Sequence, residues 1–192
     1  MSVYSWLIFA LWLMLFAYWA FSATRAKKSI REASVRWRET GLRLGALVLI
    51  VVALRVPSVR HVLRHAHGYA ASTGMVTGII GVVLCVLGVC LALWARVHLG
   101  TNWGMPMSRK ESPELVTTGP YALVRHPIYS GLILAMIGSA GAQSILWVVP
   151  LALFGVYFTY SARREERLMT EQIPDQYPAY KRRTKMFVPC AW

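Results

Sequence analysis

Residues 128–162 read IYSGLILAMIGSAGAQSILWVVPLALFGVYFTYSA, a stretch without a single charged side chain. As one helix this stretch would extend about 50 Å, whereas the hydrocarbon core of a bilayer is about 30 Å thick. The stretch must therefore fold back on itself. Its small and polar residues 139–144, SAGAQS, predict the turn of a hairpin of two short helices.

Three further apolar runs precede the hairpin, at residues 3–21, 42–56 and 75–95. The first is too long for the apolar core of a signal peptide, and Arg25 and Lys27 follow it instead of a cleavage site. The second is short, so Arg43 and Arg55 near its ends must extend to the interfaces. The predicted fold is all-α, a polytopic integral membrane protein with about five transmembrane helices, a cytoplasmic loop and a tail helix. We divide it into three N-terminal spans, residues 1–95, and a core, residues 96–192.

The composition agrees with a membrane protein. Hydrophobic residues make up 56% of the chain and charged residues 15%, against about 25% charged in soluble domains. The net charge of +13 is compatible with nucleic-acid binding, but an anionic membrane surface explains it better beside so many uncharged apolar stretches. The three cysteines lack a CxxC spacing, and no acid or cysteine lies near His61, His65 and His67, so we predict no metal site.

The lysines and arginines are unevenly distributed between the two predicted sides of the membrane. Eighteen of the 21 lie on the side that holds residues 22–41, 96–127 and 161–192, or at the adjoining ends of the spans, and three lie on the other side. The positive-inside rule then places the N-terminus outside and the C-terminus in the cytoplasm. Both long polar segments, the loop at residues 96–127 and the tail, are cytoplasmic in this topology.

The loop ends in GPYALVRHPIY, residues 119–129. Gly119 and Pro120 predict a turn, and Pro127 suits the first turn of the following helix. His126 would then lie at a helix N-terminus, where unpaired N–H groups favour a polar ligand group. The alternative interpretation is an interfacial anchor, since Arg, His and Tyr are common at membrane boundaries.

The strings LVTTGPY at 115–121 and VRHPIYSG at 124–131 resemble the motif of the isoprenylcysteine carboxyl methyltransferase and phospholipid methyltransferase superfamily. LGTNW at 99–103 and REERL at 164–168, followed by Tyr177, Tyr180, Arg182 and Arg183, extend the resemblance over residues 95–189. It implies a bacterial-type enzyme of the inner membrane that uses S-adenosylmethionine. It also implies cofactor-binding residues, some acting through their main chain: Leu115, Val116, Tyr121, His126, Pro127, Ile128, Tyr129 and, from the tail, Glu165.

The chain departs from the prenylcysteine branch of this superfamily at Ser161, where that branch has an arginine thought to hold the substrate carboxylate. Arg163 or Arg164 are candidates to replace it, and Asn102 and Trp103 are further candidate substrate residues. Glu165 and Glu166 also have a simpler interpretation, as first-turn acids of an amphipathic tail helix that pair with Arg163 or Lys185.

The predicted function is methyl transfer to a lipophilic acceptor that enters from the bilayer, which together with the bilayer itself is the predicted partner. The acceptor could be a prenylated cysteine carboxylate, an amine headgroup such as phosphatidylethanolamine, a phenolic or pyrone lipid, or a thiol. A carboxylate needs no general base, whereas the others would need a proton removed, with His126 or Glu165 as candidates. A noncatalytic lipid-binding membrane protein is the alternative from another class.

Overall fold

The computed structural model describes residues 2–23, 29–30, 74–100, 109–110 and 115–189. The predicted span at 42–56, the histidines at 61, 65 and 67, and the candidate substrate residues Asn102 and Trp103 lie outside these ranges. The described helices are α1 (Val3–Ala23), α2 (Met75–Leu99), α3 (Pro127–Ala142), α4 (Val148–Gln172) and α5 (Tyr177–Arg183). The described elements also include two 3₁₀ turns, Gly119–Ala122 and Ile145–Trp147. Two short strands, β1 (Ser29–Ile30) and β2 (Arg109–Lys110), pair in antiparallel fashion. The prediction of a helical fold is confirmed.

Two described helices are long and apolar enough to cross a membrane: α1 over Val3–Ser22, and α2. They run parallel to each other. Near their N-termini the ring of Tyr4 lies against Gly78, and near their C-termini the Arg96 guanidinium donates to the carbonyl of Ser22 at 2.9 Å. Arg96 also donates to the carbonyl of Gly100 at 2.8 Å, so one buried side chain joins the C-terminal ends of both helices.

The helices α2 and α3 are antiparallel and approach so closely that their backbones touch. A Cβ atom added to Gly88 of α2 would lie 2.4 Å from the backbone nitrogen of Ala135, and one added to Gly138 of α3 would lie 2.4 Å from that of Cys85. Small residues at such contacts are typical of membrane helices, because association there depends on close packing rather than on a hydrophobic driving force. This contact fixes α3, and with it the start of the hairpin.

The hairpin was predicted correctly, but its turn was placed too early. The helix α3 continues through Ala142, and the chain reverses at residues 143–147. The reason is that the small residues serve helix packing. Ser139 is buried, donates its hydroxyl to the carbonyl of Ala135 at 2.8 Å, and accepts the indole N–H of Trp12 at 3.0 Å.

The predicted separate tail helix is also corrected, because α4 continues without a break from the apolar stretch to Gln172. Glu165 and Glu166 therefore lie in the middle of a helix and are not first-turn acids. The burial pattern explains the continuity: Phe158, Ala162 and Glu166, spaced by four residues, all lie on the buried side of α4. The short helix α5 follows after a turn.

Candidate functional site

The end of α2 positions the loop that precedes α3. Gly119 has a φ of +59°, and a Cβ atom at this position would lie 2.6 Å from Nε2 of His98. The same imidazole nitrogen lies 3.0 Å from the hydroxyl of Thr118. Only glycine combines the left-handed backbone with this close contact, so His98 and Gly119 set the path of the loop into the 3₁₀ turn.

The N-terminus of α3 matches the prediction: Pro127 is the first helical residue and His126 precedes it in the cap position. The tail packs beside this point as an extended segment. The backbone N–H groups of Arg125 and His126 donate to the carbonyls of Lys185 (2.8 Å) and Met186 (3.1 Å). The loop and the tail, far apart in sequence, are therefore joined directly at the start of α3.

A second connection between loop and tail involves tyrosines. The hydroxyl of Tyr180 in α5 donates to the carbonyl of Tyr121 at 2.8 Å, and both side chains are buried. Burial is the main cause that raises the pKa of both phenols above the usual value, that of Tyr180 to about 12. Both tyrosines are therefore neutral hydrogen-bonding groups at any physiological pH.

Three side chains, which we call the hairpin polar cluster, meet between α3 and α4: Tyr129, Ser161 and Glu165. The Tyr129 hydroxyl donates to Oε1 of Glu165 at 2.6 Å, and the Ser161 hydroxyl donates to the same oxygen at 3.1 Å. The other carboxylate oxygen, Oε2, lies 3.6 Å from Nδ1 of His126. The rings of His126 and Tyr129 are nearly parallel, with centroids 5.5 Å apart.

A second group, which we call the loop–tail ion cluster, consists of Arg125, Glu166 and Lys181. Glu166 is 3% exposed and lies 2.6 Å from Nε of Arg125 and 2.8 Å from Nζ of Lys181. Arg125 also donates through Nη1 to the carbonyls of Lys181 and Thr184. Burial alone would raise the pKa of Glu166, but the adjacent His126 imidazole, with Nε2 3.5 Å from Oε1, and hydrogen bonds from Lys181 and Arg125 lower it to about 2. The carboxylate is therefore ionised and holds loop, α4 and α5 together.

The structure brings most of the predicted cofactor residues to one end of the hairpin. Leu115, Val116, His126 and Ile128 are half-buried, and Tyr121, Pro127 and Tyr129 are buried. Glu165 reaches them from α4, 27% exposed. The candidate substrate residues Arg163 and Arg164 are instead exposed. The role of every residue in this set stays a prediction.

The sequence did not identify Arg125, Glu166 and Lys181 as parts of the site. In the sequence, Arg125 stands out only as a member of a motif, and the simpler interpretation of Glu166 is a first-turn acid of a tail helix. One signal was present: Glu166 follows Phe158 and Ala162 at a spacing of four, which predicts the same helix face. Its partners lie 41 and 15 positions away, so no local rule could indicate the ion pairs.

Taken together, these features define a class: a helical membrane protein whose polar site lies at one end of an apolar hairpin. The model of the phospholipid methyltransferase family matches residues 76–176, more than half of the sequence. The chain therefore belongs to the phospholipid methyltransferase family, which confirms the resemblance noted in the sequence.

Individual relatives carry two kinds of name. Protein-S-isoprenylcysteine O-methyltransferase B of Arabidopsis thaliana is 30% identical over 128 residues, which cover 64% of this chain and 61% of the relative. The nickel-cobalt-cadmium resistance protein NccN of Alcaligenes xylosoxydans xylosoxydans is 32% identical over 117 residues (60% and 49%). The cobalt-zinc-cadmium resistance protein CzcN of Cupriavidus metallidurans is 32% identical over 114 residues (58% and 47%). The chain spans about half the length of the two resistance proteins.

Among solved structures, the eukaryotic intramembrane Ras methyltransferase ICMT, an isoprenylcysteine carboxyl methyltransferase, has a similar fold. The TM-score is 0.53 at 21% sequence identity, and the match covers 84% of this chain and 55% of that one. This likeness supports the helical membrane architecture.

Proposed function

We propose that the chain is an integral membrane methyltransferase that uses S-adenosylmethionine and methylates a lipophilic acceptor. The observation that carries the proposal is the meeting of two motifs at the end of the hairpin. Tyr129 lies in the first motif and Glu165 in the second, and their side chains are 2.6 Å apart. Membership of a methyltransferase family gives this arrangement its chemical interpretation.

The residues at this end of the hairpin fit the cofactor. A partly exposed carboxylate, Glu165, can accept hydrogen bonds from ribose hydroxyl or amino groups, and aromatic rings such as Tyr121 and Tyr129 can flank adenine or a sulfonium. His126 Nε2 is buried, lies 3.5 Å from Oε1 of Glu166, and makes no hydrogen bond of normal geometry among the described residues. When bound, S-adenosylmethionine supplies an electrophilic methyl group on a good leaving group.

The chain's own groups would mainly bind and orient the cofactor and the acceptor. Hydroxyls of Tyr129 and Ser161 fix the Glu165 carboxylate through Oε1, which keeps its other oxygen directed to the side of His126. The loop–tail contacts would shield one side of the site from water. Such positioning and water exclusion can provide most of the acceleration for an in-line displacement, without a strong base.

The hairpin polar cluster bears on the choice of acceptor. Ser161 is fully buried and its hydroxyl is committed to Glu165, so this position offers no cation to an acceptor carboxylate. We therefore regard a phospholipid amine, a phenolic lipid or a thiol as equally good candidate acceptors as a prenylcysteine carboxylate. Among the described residues there is no group of three or more His, Cys, Asp or Glu that could hold a metal.

We also propose five spans with the N-terminus outside. The parallel course of α1 and α2 supports this topology. If both cross the bilayer in one direction, the chain between them must cross once in return, and the apolar run at 42–56 is the candidate. The pairing of β1 with β2 adds support, since it joins the segments that follow α1 and α2 at the basic end.

Cofactor binding is tested by titrating S-adenosylhomocysteine into the detergent-purified protein by calorimetry. We expect binding by the wild type and a loss of at least tenfold in Glu165→Gln, because a charge-assisted hydrogen bond contributes about 1.5–3 kcal/mol. Asp175→Asn is the matched control, since Asp175 is an exposed acid outside the site. Absence of binding by a correctly folded wild type would refute the proposal.

The acceptor class requires a separate measurement. Membranes are incubated with methyl-labelled S-adenosylmethionine, and the lipid extract is treated with alkali. Methyl esters release volatile methanol, whereas N-methyl and S-methyl products retain the label. Base-stable label would exclude a carboxylate acceptor.

The topology is tested by cysteine labelling in intact cells, in a variant whose native cysteines are replaced by serine. Gly141→Cys reports on the outer end of the hairpin, because Gly141 is exposed and a side chain there meets only an ordinary contact of 3.7 Å. Asp175→Cys reports on the opposite end. We expect an impermeant reagent to label the first and not the second; the reverse pattern would contradict the orientation.

A further inference from the structure

The outward face of α4 carries an ordered stripe of side chains. Its members are separated by four, three, four and three positions, so they lie on one helix face. All are exposed, and none belongs to the hairpin polar cluster or the loop–tail ion cluster. We call them the outer stripe: Leu153, Tyr157, Tyr160, Arg164 and Arg167.

The order of the outer stripe follows the depth profile of a bilayer. Leu153 is 68% exposed within the apolar stretch, Tyr160 is 57% exposed, and Arg164 follows about 6 Å further along the axis at 1.5 Å per residue. Apolar residues suit the hydrocarbon, tyrosines the interface, and arginines the headgroup level. The outer stripe thus fits a membrane boundary that lies near Tyr160.

The two arginines have unused capacity for anions. In the part of the chain that the structure describes, the ion pairs of Glu165 and Glu166 face inward, and neither Arg164 nor Arg167 forms an ion pair with an acidic side chain. A guanidinium group can donate two parallel hydrogen bonds to a phosphate, which makes arginine well suited to phospholipid headgroups.

We propose that Arg164 and Arg167 bind the phosphates of anionic phospholipids in the leaflet next to the site, with Tyr157 and Tyr160 at the interface. Anionic phospholipid is the proposed partner because its charge complements the two arginines, and because the outer stripe continues into the apolar part of α4. This assigns Arg164 to lipid headgroups and not to an acceptor carboxylate. The binding is independent of methyl transfer, but it acts on the helix whose opposite side carries Glu165 and Glu166.

The experiment measures lipid binding directly, so its outcome does not depend on the proposed enzymatic function. Native mass spectrometry of the detergent-purified full chain counts adducts of phosphatidylglycerol and of phosphatidylcholine over a lipid titration. We expect the wild type to prefer phosphatidylglycerol. Each of R164Q and R167Q should lower that affinity about fivefold, and the double variant roughly 25-fold, as expected for basic side chains at an anionic surface.

Two control variants separate a site from simple net charge. R164K/R167K keeps the charges and should retain most of the preference. R182Q/R183Q removes the same number of charges from α5, and we expect it to bind phosphatidylglycerol like the wild type. Equal binding of both lipids by the wild type, or equal losses in the α4 and α5 double variants, would overturn the proposal. If the double variant does not fold, the single variants provide the same comparison.

Discussion

Replacement of Glu166 by glutamine removes the charge of the loop–tail ion cluster while keeping the side-chain shape. Glu166 is 3% exposed and pairs with Arg125, whose side chain is 9% exposed. The fall of its pKa from an ordinary value near 4.5 to about 2 corresponds to about 3 kcal/mol, at 1.36 kcal/mol per factor of ten. Loss of one partner of a buried pair costs about 3–5 kcal/mol. We therefore expect Glu166→Gln to lower the free energy of unfolding by about 3 kcal/mol.

The assay is equilibrium unfolding in mixed micelles, followed by circular dichroism over a range of pH. The folded-state pKa of Glu166 is depressed, so its contribution is fully present above about pH 4.5 and is lost as the pH falls towards about 2. Glu166→Gln should lack this pH-dependent part, whereas Asp175→Asn, an exposed acid, should keep it. A variant within 0.5 kcal/mol of the wild type, on the order of an ordinary surface substitution, would refute the reasoning.

The two cations of the cluster should contribute unequally. Lys181 is 49% exposed, and solvent screening limits such a pair to about 1 kcal/mol or less. The Arg125 side chain is only 9% exposed and also donates to two backbone carbonyls of the tail. Arg125→Gln should therefore destabilise the protein more than Lys181→Gln, and equal losses would show that burial does not decide the strength of these pairs.

Three further predictions concern packing. Gly88→Ala should lower the free energy of unfolding by about 1–3 kcal/mol or prevent folding, because its Cβ atom would meet the backbone of α3. The control Gly155→Ala should fold normally, because a Cβ atom there has nothing within 4 Å. Comparable losses of stability in the two variants would contradict the packing argument. Gly119→Ala should weaken binding of S-adenosylhomocysteine several-fold through its positive φ and the contact with the imidazole of α2, and unchanged calorimetric affinity would contradict this. Trp12→Phe should lower the free energy of unfolding by about 1 kcal/mol, by loss of its hydrogen bond to Ser139, and a denaturation midpoint equal to that of the wild type would count against it.

The sequence predicted the hairpin because the length of an uncharged stretch and the thickness of a bilayer are both fixed quantities. It misplaced the turn because serine, glycine and alanine have two uses that composition cannot separate. In a soluble loop they form turns, whereas here Gly138, Ser139 and Ala142 allow α3 to touch α2. Only the position of the second helix distinguishes the two uses, and that position is a long-range property.

The candidate site shows the same division between local and long-range information. The cap position of His126 follows from Pro127 beside it, so a local rule sufficed. The depressed pKa of Glu166 depends on Arg125, 41 positions earlier, and on Lys181 in a different helix. Such pairs exist only after the tail has returned to the loop, so the local pattern of α4 does not indicate the partners of Glu166.

The helix α2, about which the sequence motifs say least, connects these observations. Its glycines set the distance to α3, Arg96 joins its C-terminal end to α1, and His98 contacts Gly119 in the loop. The family match also begins within α2, at residue 76. The helix that positions the loop and α3 thus lies mostly before the division at residue 95, and that division stays a prediction. The geometry of the site thus depends on close helix packing at one place and on ion pairs to the tail at another.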